Sequence, residues 1–143
     1  MSELKTTPDA QSLQALLAEV PPNMLAGRRV LVTGAARGLG LAFAKAIAQG
    51  GGRVVLADVL ADLAQQEAAA LRDAGFDVQA LALDLADPAA IDACAAEAVR
   101  LLGGLDGLVN NAAITNSGGR DAHQLEIDMW DRVMQVNVRG TWL

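Results

Sequence analysis

The sequence lacks several residue types, and each absence excludes a class of chemistry. Tyrosine does not occur among the 143 residues, so they offer no phenol group for acid–base catalysis. Cys94 is the only cysteine, which rules out an internal disulfide scaffold and a thiolate metal cage. His123 is the only histidine and has no evident partner in the pattern. We therefore expect no metal site, a solvated loop histidine and a small buried thiol.

Basic residues and long apolar segments are also scarce. The 11 lysines and arginines are outnumbered by 17 acidic residues, and the formal net charge of −6 argues against a nucleic-acid partner. No uninterrupted apolar stretch reaches the roughly 18 residues of a membrane span. Residues 1–9 lack the basic and apolar pattern of a signal peptide. Together with the single cysteine, this predicts a cytoplasmic protein without a membrane partner.

Apolar residues are abundant, at 52% of the chain, and they divide it into two parts. Residues 1–26 form an N-terminal extension with a short amphipathic helix that would end at Pro21 and Pro22. Nothing in this extension is reactive, so we expect no chemistry from it. Residues 27–143 form the main domain.

In the main domain, short apolar runs alternate with helical patterns. The runs are residues 30–32, 54–57, 78–83 and 105–109. The helical patterns are residues 38–49, residues 61–74, a third helix with Ile91, Ala95, Ala98 and Leu102 on its apolar face, and a last helix from near Gln124 past Asn137. Apolar runs without alternation are typical of parallel strands buried on both faces. The sequence therefore predicts an α/β fold, a Rossmann-type doubly wound parallel sheet built from repeated βαβ units.

Small and polar residues follow each predicted strand. They are residues 33–40 after the first, Asp58 after the second, Asp84 and Leu85 after the third, and residues 110–113 after the fourth. Ligands of open α/β sheets bind outside the carboxyl ends of the strands. We therefore expect these residues to border one binding crevice.

The glycine-rich loop after the first strand could hold phosphates. Gly34, Gly38 and Gly40 leave room for a pyrophosphate near the backbone, and the following helix start offers unpaired N–H groups. The spacing G-x-x-x-G-x-G differs from the standard dinucleotide fingerprint, and no P-loop lysine follows. A purely structural turn remains an alternative for this loop.

Asp58 indicates which dinucleotide would bind. It follows Gly40 by 18 residues at the end of the next strand, where a carboxylate accepts hydrogen bonds from the adenosine ribose. The same carboxylate repels a 2′-phosphate, so we expect NAD rather than NADP. Arg37 in the loop could pair with a phosphate and complicates this choice. A simple capping role for Asp58 also remains open.

From about Met24 to the end, the chain resembles the cofactor-binding half of the classical short-chain dehydrogenase/reductase family. The matching motifs are T-G-x-x-x-G-x-G at residues 33–40, the acidic Asp58, the pair Asp84 and Leu85, the N-N-A-G tract at residues 110–113 and the segment 129–137. Ala113 replaces the last glycine of the N-N-A-G tract, so the backbone there must accept a Cβ.

The resemblance implies a role for each matching residue. In the glycine loop, Gly34, Arg37, Gly38, Leu39 and Gly40 would bind the cofactor. Asp84 and Leu85 would contact adenine, Asn110 would hold neighbouring backbone, and Asn111 and Ala112 would lie against the adenosine ribose. Asn137 would be the catalytic asparagine, placed at a helix break where it helps to order a water.

The resemblance also implies an activity, hydride transfer between a nicotinamide cofactor and a small alcohol or ketone. The catalytic tyrosine, lysine and serine of the family come later in its pattern than Asn137. These 143 residues alone are therefore predicted to be inactive. They are expected to be a fragment that is truncated after the fourth strand and the helix that follows it. The resemblance implies the strand order 3-2-1-4, in which the fourth strand would be a bare edge, and a bare edge favours aggregation. A full-length protein is expected to be a homo-oligomer, a dimer or tetramer, through the helix starting near Gln124.

Two other functions remain open. A non-catalytic dinucleotide-binding module, such as a redox sensor, would bind NADH without turnover. A methyltransferase using S-adenosylmethionine also favours an acidic residue after the second strand, although its glycine loop is usually tighter and residues 110–112 have no counterpart there.

Overall fold

The computed structural model describes residues 23–115, 121–124 and 126–143. Within them, a parallel sheet has the spatial order β3-β2-β1-β4, which is the order that the family resemblance implies. Its strands are β1 (Arg29–Thr33), β2 (Arg53–Asp58), β3 (Val78–Ala82) and β4 (Gly107–Val109). Because β1 pairs with both β2 and β4, the strand order reverses beside β1, and the carboxyl ends of all these strands lie along one edge.

Helices connect the strands and continue after β4. They are α1 (Gly38–Gln49), α2 (Ala61–Asp73), α3 (Pro88–Leu102), a 3₁₀ turn (Ala122–Gln124), α4 (Ile127–Met134), a π-helical turn (Gln135–Arg139) and α5 (Gly140–Trp142). Across the described ranges, no helix combines the length and the apolar character that crossing a membrane requires.

Alternate residues of each central strand enter different cores, which gives the sheet its two buried faces. Val32 and Val54 belong to the core that α1 and α2 cover, whereas Leu31 and Val55 belong to the core that α3 covers. All four side chains are buried. The doubly wound α/β fold is therefore confirmed, and the unalternating apolar runs are explained by burial on both sides.

The amino ends of the strands are tied to the end of α3 by two arginines. Arg29 donates to the carbonyl oxygen of Gly103 at 2.7 Å and pairs with Asp106. Arg53 donates to the carbonyl oxygen of Leu102 at 2.6 Å and pairs with Asp77. Both cations therefore satisfy carbonyl groups at the negative end of the helix dipole.

The buried face of α3 differs from the prediction at one position. Cys94, Ala98 and Leu102 are buried, as is required for packing on β1 and β2, but Ala95 is exposed. Residue 95 lies about 100° around the helix from residue 94, so the two cannot face the sheet equally. The predicted burial of Cys94 is confirmed, and burial raises the pKa of its thiol.

The remaining expectations concern the start of the last helix, His123 and the N-terminal extension. The last helix begins at Ile127, three residues after the predicted start near Gln124, which itself closes the 3₁₀ turn. His123 lies exposed in that turn, as expected. The predicted amphipathic helix within residues 1–26 falls almost wholly outside the described residues, which begin with a turn at residues 23–27.

Candidate functional site

A cavity of about 430 Å³ lies at the carboxyl ends of the strands, where the sequence places the binding crevice. Residues that follow β1, β2, β3 and β4 all line it. Of the predicted cofactor residues, those in the lining are Gly34, Arg37, Gly38, Asp58, Asp84, Leu85, Asn111 and Ala112. The two others, Leu39 and Gly40, are not in it. The fold thus assembles most of the predicted site at one edge of the sheet.

Gly34 and Gly40 let the glycine loop fold back tightly against the loop after β4. Gly34 has a φ of +65°, and a Cβ built on it would lie 2.7 Å from the Cα of Ala112. A Cβ on Gly40 would overlap the carbonyl oxygen of Gly34. Gly40 therefore acts through packing inside the loop, whereas Leu39 is 65% exposed and is not part of the cavity lining.

Gly38 and the start of α1 provide the open part of the loop. A Cβ on Gly38 would meet no protein atom within 4 Å, so the space beside it is free. The N-cap residue of α1 is Arg37, and no side chain caps the helix. The first turn of α1 also carries no acidic residue. Its free N–H groups and partial positive charge suit an anion such as a phosphate.

Thr33 is a functional position that the sequence reasoning quoted only as part of a motif. Its buried hydroxyl accepts hydrogen bonds from the backbone N–H groups of Asn111 and Ala112, both at 3.1 Å, and donates to the carbonyl oxygen of Val109 at 3.4 Å. A hydroxyl group has one donor and two acceptor lone pairs, so all its capacity is used. Thr33 joins the end of β1 to the loop after β4.

Asn111, and not Asn110, holds the neighbouring backbone. The Asn111 amide donates to the carbonyl oxygens of Thr33 and Gly34, at 3.0 and 3.1 Å, while Asn110 is exposed. The prediction for Asn110 is therefore wrong by one position. The reason is that successive side chains of an extended segment point to opposite sides, so only one of these two neighbours can face β1. Asn111 still lines the cavity while holding the glycine loop in place.

Asp58 is 8% exposed and accepts hydrogen bonds from two different segments. One oxygen accepts from the Ala36 N–H in the glycine loop, and the other accepts from the Leu60 N–H before α2, both at 2.9 Å. The capping interpretation is wrong, because the N-cap residue of α2 is Leu60 and no side chain caps that helix; at this helix Asp58 bonds only to the N–H of the N-cap residue itself. A carboxylate has about four acceptor positions, so two remain for a ligand in the cavity that Asp58 lines.

Asp84 and Leu85 form the wall after β3. One Asp84 oxygen accepts from the Ala86 N–H at 2.8 Å, which shapes the turn into α3 and leaves the other oxygen outside this bond. Leu85 is buried in the core beside α3 and also lines the cavity. This wall therefore offers a carboxylate next to an apolar surface.

Asn137 lies in the π-helical turn, which breaks the helix as predicted for this residue. The turn is closed by the Gly140 N–H, which donates to the carbonyl oxygen of Gln135. The Asn137 side chain accepts from the Ile114 N–H at 2.9 Å and donates to the Ile114 carbonyl oxygen at 2.8 Å. Asn137 therefore fastens the loop after β4 to the helix, a contact that the sequence did not reveal.

No group of three or more potential metal ligands was found in the parts of the chain that the structure describes.

Arg132 and Val136, from α4 and the π-helical turn, also line the cavity and were missed by the sequence reasoning. They are far from the strand ends in sequence. A helical pattern alone does not tell which side of the helix meets the cavity.

Comparison with models of protein families shows which family the chain belongs to. The family model for short chain dehydrogenase matches residues 28–143. The chain belongs to the short-chain dehydrogenase family. It is 38% identical over 121 residues to 2-(S)-hydroxypropyl-CoM dehydrogenase 3 of Xanthobacter autotrophicus, covering 85% of this chain and 47% of that relative. The chain spans about half the length of the curated relatives it matches.

Solved structures of the short-chain dehydrogenase family share the fold. A short chain dehydrogenase from Burkholderia cenocepacia in complex with NADP has a TM-score of 0.76 and 38% identity, over 82% of this chain and 48% of that one. The 3-ketoacyl-(acyl-carrier-protein) reductase from Brucella melitensis complexed with NADH has a TM-score of 0.78 and 37% identity, over 83% and 48%. These two solved structures of the family thus hold nicotinamide cofactors.

Proposed function

We propose that the chain is the cofactor-binding half of an NAD(P)-dependent oxidoreductase that transfers hydride between the nicotinamide and a small alcohol or ketone. The observation that carries this proposal is the uncapped start of α1 behind the glycine loop, at a cavity bordered by the carboxyl ends of the strands. A helix start of this kind binds the pyrophosphate of a dinucleotide.

The residues present fit a dinucleotide along the whole cavity. Gly38 leaves open space for the pyrophosphate, and Arg37 adds a positive charge beside it. Asp58 has acceptor positions left for the hydroxyls of the adenosine ribose. The carboxylate of Asp84 and the apolar surface of Leu85 suit the amino group and ring of adenine. The bound cofactor would supply the hydride.

We propose NAD as the preferred cofactor because of the charge at Asp58. A 2′-phosphate beside the ribose would bring two further negative charges next to this carboxylate, at a cost that is high in a half-enclosed cavity. Arg37 is the opposing feature, since its guanidinium lines the same cavity and could pair with that phosphate. The balance between these two side chains sets the preference.

Asn137 is proposed as the catalytic asparagine. Its side-chain amide uses one donor and one acceptor on Ile114, so one N–H and one lone pair remain for a water or a substrate group. The 143 residues contain no tyrosine, so the role proposed for them is cofactor binding and not the proton transfer. A dinucleotide-binding module without catalysis is the second candidate.

We also propose that the protein forms a homo-oligomer through α4 and the turn after it. Large apolar side chains are exposed at helical spacing along α4, the π-helical turn and α5, namely Ile127, Trp130, Met134, Val138 and Trp142. Such a continuous apolar surface is typical of a protein interface.

Titration of the protein with NADH, NADPH and S-adenosylmethionine tests the proposed function. We expect saturable binding of NADH, weaker binding of NADPH and no binding of S-adenosylmethionine, measured by calorimetry. Binding of S-adenosylmethionine alone, or of none of the three, would contradict the proposal. Turnover of an alcohol or ketone in the presence of the cofactor separates the enzyme from the non-catalytic module.

A matched pair of glycine variants tests the place of binding. Gly38 and Gly75 both have positive φ, +60° and +92°, and a Cβ on either meets no atom within 4 Å. Gly38→Ala and Gly75→Ala should therefore introduce similar backbone strain, but only Gly38 lines the cavity. We expect only Gly38→Ala to weaken NADH binding; equal affinities for the two variants would place the cofactor elsewhere.

A further inference from the structure

Arg132 is a cavity residue that no strand end supplies. It lies in α4, and it lines the cavity together with Val136 one turn later and with Asp84 and Leu85 from the loop after β3. Arg37 is the other arginine in the lining. Arg37 belongs to the glycine loop, so Arg132 brings a second positive charge to the cavity from a different element.

The guanidinium of Arg132 is not occupied by a protein carboxylate. Among the described residues, the ion pairs formed by arginines are those of Arg29, Arg53 and Arg100 with nearby acidic side chains. Arg132 is exposed and takes part in none of them. A cation at a cavity edge without such a partner is available to a ligand.

The helix that carries Arg132 is attached to both loops beside it. Gln135 donates to the carbonyl oxygen of Ala86 at 2.9 Å, next to Leu85. Asn137 bonds to both backbone groups of Ile114. Gly140 lies so close to Leu85 that a Cβ on it would overlap the Leu85 carbonyl oxygen. The position of Arg132 relative to the wall after β3 is thus set by the contacts that Gln135, Asn137 and Gly140 make with the backbone of these loops.

We propose that Arg132 is a further cofactor-binding residue, which packs its guanidinium plane against the adenine ring of the dinucleotide. The inference rests on the proposed function, in which the wall of Asp84 and Leu85 holds adenine. A guanidinium is planar and weakly hydrated, and it stacks on the face of an aromatic ring. The wall of Leu85 would hold the ring from one side and Arg132 would cover it from α4.

The test compares Arg132→Ala with Arg139→Ala. Arg139 is also exposed and lies two turns later on the same helical segment, but it does not line the cavity. The probes are NADH, adenosine monophosphate and adenosine, titrated by calorimetry, with thermal unfolding as a check on the fold. We expect Arg132→Ala to weaken all three by about three- to tenfold, in the range of a partly desolvated cation–π contact. Arg139→Ala should bind like the wild type.

The outcomes separate this inference from the proposed function. If the wild type binds no dinucleotide, the proposed function fails, and the assignment of Arg132 fails with it. If the wild type binds NADH, and Arg132→Ala binds NADH and adenosine with the same affinities as the wild type, only the assignment of Arg132 is overturned. A loss for adenosine monophosphate without a loss for adenosine would place Arg132 on the phosphate, and it would overturn the contact with adenine.

Discussion

At the residue scale, the cavity is held together by side chains that also face it. The Thr33 hydroxyl, the Asn111 amide and the Asp58 carboxylate each bond to backbone groups of a different loop. Each of these groups is buried or partly buried, where an unpaired polar group is costly. A substitution at one of them therefore changes the stability of the fold and the shape of the cavity together.

Thr33→Val should destabilise the protein because it removes the acceptor of two backbone N–H groups without changing the side-chain volume. We expect a loss of about 1–3 kcal/mol in the free energy of unfolding, measured in urea, together with weaker NADH binding. Thr33→Ser is the matched control, since it keeps the hydroxyl and loses only a methyl group. If the serine variant were as unstable as the valine variant, the hydroxyl bonds would not be the cause.

Asp58→Ala should narrow or reverse the preference for NADH over NADPH. Removing the carboxylate removes its repulsion of the 2′-phosphate, and we expect the ratio of the two affinities to change by about tenfold or more. The substitution also frees the N–H groups of Ala36 and Leu60, but that damage should affect both cofactors alike. The ratio is therefore the measurement, and an unchanged ratio would remove Asp58 from cofactor selection.

At the element scale, the starts of β1 and β4 and the end of α3 are joined to one another on the side of the sheet opposite the cavity. Asp106, just before β4, accepts two hydrogen bonds from the Arg29 guanidinium at 2.8 Å and one from its backbone N–H at 2.9 Å. The Arg29 guanidinium holds the pKa of the Asp106 carboxyl well below its usual range. This contact joins segments 77 residues apart and fixes the edge strand to β1.

The contribution of Asp106 to stability should depend on pH. Its folded pKa is lowered, so its contribution is fully present above the unfolded value of about 4 and is lost as the pH falls below that value. We expect Asp106→Asn to be less stable than the wild type at pH 7 and the difference to shrink below pH 4, measured by urea unfolding. Glu97→Gln is the control.

The Glu97 control is matched because Arg100 also lowers the pKa of this carboxyl. Its ion pair spans only three residues within α3 and is exposed, so it should matter less at pH 7. If both variants lost the same stability, the long-range connection of Asp106 would have no special role.

At the scale of the whole molecule, apolar side chains of the described residues face outward on the edge strand and on the last helix. On the edge strand β4, Leu108 is 51% exposed, and on the apolar side of α4, Trp130 is 56% exposed. An exposed edge strand offers unpaired backbone groups to another chain, and an apolar helix face offers area to bury. Both features favour association of these 143 residues.

We expect the 143-residue polypeptide to associate or aggregate at micromolar concentration, as measured by sedimentation velocity. Leu108→Lys should reduce pairing at the edge, and Trp130→Glu should reduce association through α4, so the two variants show which surface dominates. A monomer that melts cooperatively at all concentrations would contradict the expectation.

Much of the fold and of the cavity follows from the chain itself. The unalternating apolar runs predict buried parallel strands, and residues 33–40, Asp58 and Asp84 follow those strands directly in sequence. Their meeting at one edge is a consequence of parallel strand direction, so it needs no knowledge of side-chain contacts. The start of a helix is harder to predict from the sequence. The last helix, for example, begins at Ile127, only after a 3₁₀ turn.

The sequence by itself determined the order of the elements, the binding edge and the family, because strand direction and glycine spacing are local properties. Only the tertiary structure decided that Asn111, and not Asn110, reaches β1, that Asn137 bonds to Ile114, and that Arg132 lines the cavity. Each of these depends on how one element is rotated against another. That rotation is set by the packing of whole faces, and no short segment of sequence encodes it.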